Sequence, residues 1–259
     1  MWHQEMIILP LHKTKTSIMN LLPLIPALVL FAGILVSGGP LSTGAASPVD
    51  PVPREGRAHE RFLELNERVR EQAGEVTLLF VGDSITQGWE TTGREVWEEF
   101  YGGRDALNIG ISGDRTQHVL WRLENGNIDG LSPKVSVIMI GTNNSGLDRN
   151  TTGEMLEGVT AVVERIGEEL PDTRVLLLGI FPRGRHFDEQ RGKITQVNQA
   201  LRLLEDGERV FFLDFGHVFL NADGSIPEAL MPDALHLSSE GYLLWAESME
   251  KKLAALLQD

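Results

Sequence analysis

The chain has 259 residues, 42% of them hydrophobic, and a mean hydropathy of −0.09, which suits a globular protein with one sizeable domain or two small ones. Its formal net charge of −14 at pH 7 would repel nucleic acid and anionic membrane surfaces, so we expect no nucleic-acid partner. The absence of cysteine excludes disulfides, a thiolate nucleophile and cysteine-ligated zinc.

The first segment of the chain, residues 1–46, has the pattern of an export signal. Lys13 and Lys15 precede the apolar run LLPLIPALVLFAGILV, and small residues follow it. The run is shorter than the roughly 20 residues that span a bilayer, and it contains prolines. We therefore expect a cleaved signal peptide and a secreted or periplasmic protein, with an uncleaved membrane anchor or a buried helix as alternatives. The Pro-rich residues 47–56 predict an extended linker to a domain at 57–259.

Beyond this linker, apolar segments alternate with amphipathic ones. The helical segment HERFLELNERVREQ comes first, and the strand VTLLFVG follows it at residues 76–82. Four more apolar strands, ALNIGI, VSVIMIG, RVLLLGIF and VFFLDFG, begin at residues 106, 135, 174 and 210. Each of the five precedes a helix or a loop and helix. This order predicts an α/β fold, a flavodoxin-like doubly wound five-stranded parallel sheet with helices on both faces.

Polar residues gather where the first three predicted strands end. GDSIT contains Ser84, NIGISGDRT contains Gly113, and GTNN contains Asn143. In doubly wound sheets, ligands bind beyond the carboxyl ends of the strands, where the strand order reverses. We therefore expect a functional site at this edge, although each motif taken singly is more often a turn or a helix cap.

One histidine stands near a carboxylate in a way that suits catalysis. A serine hydroxyl becomes a good nucleophile only when a neighbouring base accepts its proton, and that base is usually a histidine held by a carboxylate. Among the seven histidines, His236 follows Asp233 by three residues, just before the last predicted helix. On one loop, this spacing lets the carboxylate reach Nδ1 while Nε2 faces outward. The spacing alone is a weak signal.

Other polar residues near these motifs are expected to support the site. Asp83, Asp114 and Arg115 are predicted to brace loops through hydrogen bonds or ion pairs. Thr142 and Asn144 are candidates for the rim of a pocket.

The motifs together resemble the SGNH, or GDSL-type, hydrolases. GDSIT, NIGISGDRT, GTNN and DALH look like the four sequence blocks of that family and occur in the family's order. The stretch from GDRTQHVL to GTNN further resembles the catalytic subunits of platelet-activating factor acetylhydrolase and their bacterial relatives. The resemblance extends over about residues 57–257, the whole predicted domain.

The resemblance implies a serine esterase that hydrolyses short-chain carboxylic esters, acetyl esters first, through an acyl-enzyme intermediate. It assigns Ser84 as the nucleophile, His236 as the general base and then acid, and Asp233 as the orienting carboxylate. It also implies an oxyanion hole made by the backbone N–H groups of Ser84 and Gly113 and the side-chain amide of Asn143.

The expected substrate is a small ester, namely an acetylated sugar, polysaccharide or lipid, and the resemblance hints at a homodimer. We expect no cofactor and no metal, because the sequence lacks His-x-x-x-His and similar ligand spacings. Two alternatives stay open. One is a catalytically idle domain that keeps the fold for binding or subunit interaction. The other is flavin or nucleotide binding, which the lack of Gly-x-Gly-x-x-Gly after the first strand disfavours.

Overall fold

The structure, a computed structural model, describes residues 46–258, so the predicted signal or anchor segment lies, apart from Ala46, outside the described residues. Within this range, helices and strands alternate along the chain. The helices are α1 (Arg57–Glu71), α2 (Ser84–Gln87), α3 (Arg94–Phe100), α4 (Thr116–Leu123), α5 (Thr152–Glu169), α6 (Glu189–Leu201) and α7 (Ser239–Gln258). The strands are β1 (Leu78–Gly82), β2 (Ala106–Asn108), β3 (Val135–Met139), β4 (Arg174–Leu178) and β5 (Val210–Leu213).

The five strands form one parallel sheet in the order β2-β1-β3-β4-β5. In register, Leu79 of β1 pairs with Leu107 of β2 on one side and with Ser136 of β3 on the other. The chain passes from β1 to β2 and then crosses back to β3, so the strand order reverses between β1 and β3. The predicted α/β fold with a doubly wound five-stranded parallel sheet is confirmed.

Successive strand residues point into two separate apolar cores. Leu79 and Ile138 contribute to the core beneath α1, α4, α5 and α6, whereas Phe80 and Val137 contribute to the core beneath α3 and α7. Both faces of the sheet are covered, which explains why the strands are almost uninterrupted runs of apolar residues. Among residues 46–258, no helix combines the length and the apolar character needed to cross a membrane.

Aromatic rings fill the core beneath α3 and α7. The Trp89 ring centroid lies 4.5 Å from that of Tyr242 and 4.9 Å from that of Trp245. The Tyr242 hydroxyl donates a 2.6 Å hydrogen bond to the Ile85 carbonyl. This packing joins α7 to α2. Helix α2 begins with Ser84, and α7 directly follows the loop that contains Asp233 and His236.

Residues 47–56, the predicted extended linker, contact the domain. Pro48 is buried, and its carbonyl accepts a 2.7 Å hydrogen bond from Thr116 Oγ1. The Val52 N–H donates to the Gln117 carbonyl at 3.1 Å. These residues therefore have hydrogen-bond partners on α4.

Candidate active site

Ser84 follows β1 and begins the short helix α2 at the carboxyl edge of the sheet. Asp83 caps this helix, because its Oδ1 accepts a 3.0 Å hydrogen bond from the Ile85 N–H. The Asp83 side chain is buried, whereas Ser84 is only half-buried. The turn therefore hides its carboxyl group and presents its hydroxyl at the crevice where the strand order reverses.

Asp233 organises the loop before α7. Its Oδ1 accepts the backbone N–H groups of Leu235 at 3.0 Å and His236 at 2.7 Å, and its Oδ2 lies 2.7 Å from His236 Nδ1. Ala234 between them has a φ of 58°, in the left-handed region that non-glycine residues seldom adopt. Burial raises the pKa of Asp233, but the hydrogen bonds from His236 and Leu235 outweigh it, so the pKa lies below its ordinary value.

The loop before α7 meets the turn after β1. His236 Nε2 lies 3.0 Å from Ser84 Oγ, although the two residues are 152 positions apart in the chain. The structure thus brings Asp233, His236 and Ser84 into one row of hydrogen bonds. In such a row, the imidazole can accept the hydroxyl proton while the carboxylate holds the ring and its tautomer. The side chains of His236 and Asp233 are 48% and 56% exposed, so substrate can reach them from solvent.

Two side chains, Gln87 and Asn108, connect the turn that contains Ser84 to β2 and the loop after it. The Ser112 N–H donates to Gln87 Oε1 at 2.7 Å, and Asn108 Nδ2 donates to the Thr86 carbonyl at 2.8 Å. Gly110 lies so close to α2 that a Cβ there would stand 2.4 Å from the Gln87 nitrogen. Asn108 opens the NIGISGDRT motif, but no sequence pattern indicated its partner or that of Gln87, because these partners lie on another element.

The two further predicted oxyanion donors lie on the loops after β2 and β3. Gly113 has a φ of 79°, a backbone conformation that favours glycine. Asn143 Nδ2 donates to the Asp114 carbonyl at 2.8 Å and lies 3.4 Å from Asp83 Oδ2. The second distance exceeds the usual range for an N–H···O bond, about 2.7–3.2 Å. The hydrogen bond to Asp114 therefore orients the Asn143 side chain, whereas the contact with Asp83 is weak.

The buried carboxyl group of Asp83 has a raised pKa. Burial raises its pKa from 3.8 to about 7, and the charge of Asp114 acts in the same direction. The hydrogen bond from Ile85 and the charges of His236 and Arg183 oppose this effect. Asp83 is therefore partly protonated near neutral pH, beneath the serine that the turn presents.

Asp114 braces the loop after β2, as the sequence suggested. Its Oδ2 accepts from Arg122 Nε at 2.8 Å, and its Oδ1 accepts from Arg54 Nη1 at 3.1 Å. Arg122 is buried and also donates to the carbonyl of Gly82, the last residue of β1, at 3.0 Å. No ion pair found within residues 46–258 includes Arg115, but its backbone N–H donates to His118 Nδ1 at 3.1 Å.

The two candidate rim residues have different surroundings. Asn144 is fully buried, where its Oδ1 accepts from the Thr116 N–H at 3.1 Å and its Nδ2 donates to Asn150 Oδ1 at 3.0 Å. It is a structural residue, and the rim hypothesis is wrong for it. The Thr142 carbonyl accepts from Arg183 Nη1 at 3.1 Å, and both residues line a cavity at the surface.

Two neighbouring cavities open beside these residues. The first has a volume of about 330 Å³ and contains Ser84 and His236, with Leu237 and Tyr242 in its wall. The second has a volume of about 770 Å³ and contains Gly113 and Asn143. Ser84 therefore lines the first cavity, and two of the predicted oxyanion donors line the second.

Comparison with known proteins gives consistent matches over this domain. Residues 80–244 match the model of the GDSL-like lipase/acylhydrolase family. The human platelet-activating factor acetylhydrolase IB subunit alpha1 is 38% identical over 226 residues, which cover 86% of this chain and 94% of that subunit. The alpha2 subunit from Rattus norvegicus is 38% identical over 186 residues, covering 71% of this chain and 79% of that subunit.

Solved structures share the fold. A GDSL-like lipase from Bacteroides thetaiotaomicron superimposes with a TM-score of 0.61 at 19% identity, covering 75% of this chain and 98% of that one. A catalytic mutant of Axe2, an acetylxylan esterase from Geobacillus stearothermophilus, has a TM-score of 0.55 at 20% identity, covering 69% and 94%. At these identities the likeness concerns the fold.

Proposed function

The chain belongs to the GDSL-like lipase/acylhydrolase family and is a carboxylic ester hydrolase, and from that premise we propose that it is a serine esterase that removes short acyl groups, acetyl first, from ester substrates. The observation that carries this proposal is the row of hydrogen bonds in which His236 lies 2.7 Å from Asp233 and 3.0 Å from Ser84.

In the proposed reaction, Ser84 Oγ attacks the ester carbonyl carbon while His236 Nε2 accepts the hydroxyl proton. The negative charge that develops on the carbonyl oxygen is stabilised by the N–H groups of Ser84 and Gly113 and the amide of Asn143. The intermediate collapses when the bond to the alcohol oxygen breaks, and His236 gives its proton to that alcohol. A water molecule, deprotonated by His236, then hydrolyses the acyl-enzyme and releases the carboxylic acid and the free serine.

The preference for a short acyl group is supported by the cavity at the serine. Its volume is about 330 Å³, and Leu237 and Tyr242 are the large apolar side chains in its wall. A long alkyl chain would find little apolar surface to bury there. Two proteins similar to this one, an acetylhydrolase subunit and an acetylxylan esterase, are also named for acetyl esters.

The direct test compares p-nitrophenyl esters of two, four and eight acyl carbons with the wild-type protein and Ser84→Ala. We expect the acetate to give the highest kcat/KM and Ser84→Ala to lose at least about a thousandfold in kcat while its circular dichroism stays unchanged. Ser239→Ala is the matched control, since Ser239 is an exposed serine outside the wall of the first cavity. Wild-type activity in Ser84→Ala would refute the proposal.

A second variant examines the role of the carboxylate. Asp233→Asn keeps an oxygen for the backbone N–H groups of Leu235 and His236, but an amide in place of Oδ2 cannot hold the same imidazole tautomer. We expect a loss of about 10⁴ in kcat with little change in fold. Labelling of Ser84 by a fluorophosphonate separates this proposal from an idle domain, which would not react.

We further propose export of the protein, supported by the basic, apolar and small-residue order in residues 1–46. Amino-terminal sequencing of the mature protein tests this, and a sequence that begins near Ala45 is the expected result. A homodimer remains a prediction from the family resemblance, and analytical ultracentrifugation tests it.

A further inference from the structure

The larger cavity beside the serine has a positive wall. Arginines 54, 115, 149 and 183 all line it, and Asp148 is the acidic residue in the same wall. The whole chain carries a formal net charge of −14. A concentration of guanidinium groups in one recess of an acidic protein is therefore a local feature that the average composition does not explain.

Two of these guanidinium groups have hydrogen-bonded partners, and the other two have no ion pair among residues 46–258. Arg54 binds Asp114, and Arg183 holds the Thr142 carbonyl. By contrast, the ion pairs found within residues 46–258 involve neither Arg115 nor Arg149. Arg115 is half-buried, so its charge is partly removed from water, and no ion pair within the described part of the chain compensates it.

The positive groups stand close enough to affect one another. Burial lowers the pKa of Arg115, and the charges of Arg149 and Arg54 lower it further. Burial and the charges of neighbouring arginines, Arg115 first among them, also lower the pKa of His118 in the same wall to about 4. His118 is consequently neutral at pH 7, and its Nδ1 accepts the Arg115 backbone N–H at 3.1 Å. The arginines thus supply the positive charge of this wall.

The position of the cavity relates it to the ester. Gly113 and Asn143, two of the proposed oxyanion donors, belong to its wall. An ester whose carbonyl oxygen contacts these donors would extend its remaining part towards this cavity. An acetyl group carries no charge, so a charged group within reach of these arginines has to belong to the alcohol.

Resting on the proposed esterase function, we infer that the cavity lined by Arg115 and Arg149 binds an anionic group, a carboxylate or a phosphate, on the alcohol part of the ester. Guanidinium groups bind both anions through paired, charge-assisted hydrogen bonds. The preferred substrates are acetyl esters of acidic alcohols with a net negative charge, such as acidic sugars. This adds a charge requirement to a site otherwise open to many alcohols.

The experiment uses four aryl acetates of matched shape: 3-acetoxybenzoate, 3-acetoxyphenyl phosphate, the neutral 3-acetoxybenzamide and the cationic 3-acetoxy-N,N,N-trimethylanilinium. For each ester, kcat/KM of a variant is divided by that of the wild type, which cancels differences in intrinsic reactivity. Arg149→Gln and Arg115→Gln should each lower this ratio about fivefold for the anionic esters and leave it unchanged for the amide. The larger loss identifies whether carboxylate or phosphate is preferred.

Two controls complete the design. Arg149→Lys should recover part of the lost activity towards the anionic esters, and Arg70→Gln, on the exposed surface of α1, should change none of the ratios. Equal ratios for anionic and neutral esters in the two glutamine variants would overturn this inference alone. Failure of the wild-type protein to hydrolyse any of the four esters would overturn the proposed function and this inference with it.

Discussion

Replacing Asp83 with Asn removes an ionisable group from beneath Ser84 while keeping an oxygen that can accept the Ile85 N–H. Asp83 is 1% exposed, and burial raises its pKa from 3.8 to about 7. The folded protein therefore binds this proton more tightly than the unfolded chain does. Stability from the protonated group is fully present below about pH 4 and is lost as the pH rises through about 7.

The size of the effect follows from the two pKa values. One pKa unit corresponds to about 1.4 kcal/mol, so the difference between 3.8 and about 7 amounts to roughly 4 kcal/mol. Between pH 4 and pH 8, the unfolding free energy of the wild type should thus fall by roughly 4 kcal/mol relative to that of Asp83→Asn. The asparagine side chain does not ionise and avoids the cost of burying an anion.

Urea unfolding followed by tryptophan fluorescence, at each pH unit from 4 to 8, measures this difference directly. Asp172→Asn, which changes an exposed carboxylate, should follow the wild-type curve throughout. If the wild-type and Asp83→Asn stabilities changed in parallel over the whole range, the elevated pKa of Asp83 and the reasoning from its burial would be refuted.

Three further substitutions test how the site is supported. Arg122→Met leaves buried Asp114 without one of its two arginine partners, so we expect urea titrations to show a loss of about 3–5 kcal/mol in stability. A loss under about 1 kcal/mol would contradict the bracing role of Arg122. Tyr242→Phe removes the donor to the buried Ile85 carbonyl and should cost about 1–3 kcal/mol, measured by thermal unfolding. Gly110→Ala places a Cβ 2.4 Å from the α2 backbone and should therefore displace the turn that contains Ser84. We expect kcat for p-nitrophenyl acetate to fall at least about tenfold. An unchanged kcat would show that α2 accommodates the methyl group without moving Ser84.

Much of the fold could be predicted because it depends on local patterns. Five apolar runs separated by amphipathic segments identified every strand of the sheet. The first strand ends where its run ends, and the other four end two or three residues before their runs do. GDSIT and GTNN were placed correctly at strand ends, since small and polar residues interrupt an apolar run where the chain leaves the core. The Asp-x-x-His spacing likewise indicated a local contact, and Asp233 does bind His236 on one loop.

Other predictions failed where the deciding partner is distant in sequence. Asn144 is a polar residue just after a strand, which suggested a pocket rim, but its hydrogen bonds with Thr116 and Asn150 hold it in the interior. The proline-rich composition of residues 47–56 likewise carried no sign of the hydrogen bonds that they form with α4. Local composition describes how polar or flexible a segment is, and it does not record which surface the segment meets.

By itself, the sequence determined the alternation of strands and helices, the acidic surface, and the residue types present at the strand ends. Only the tertiary structure decided that Ser84 and His236, 152 positions apart, lie within 3.0 Å, and that several arginines from separate loops share one cavity. The physical reason is that periodicity acts over a few neighbouring residues, whereas these contacts arise when the parallel sheet brings the ends of β1 and β3 and the loop before α7 to one edge.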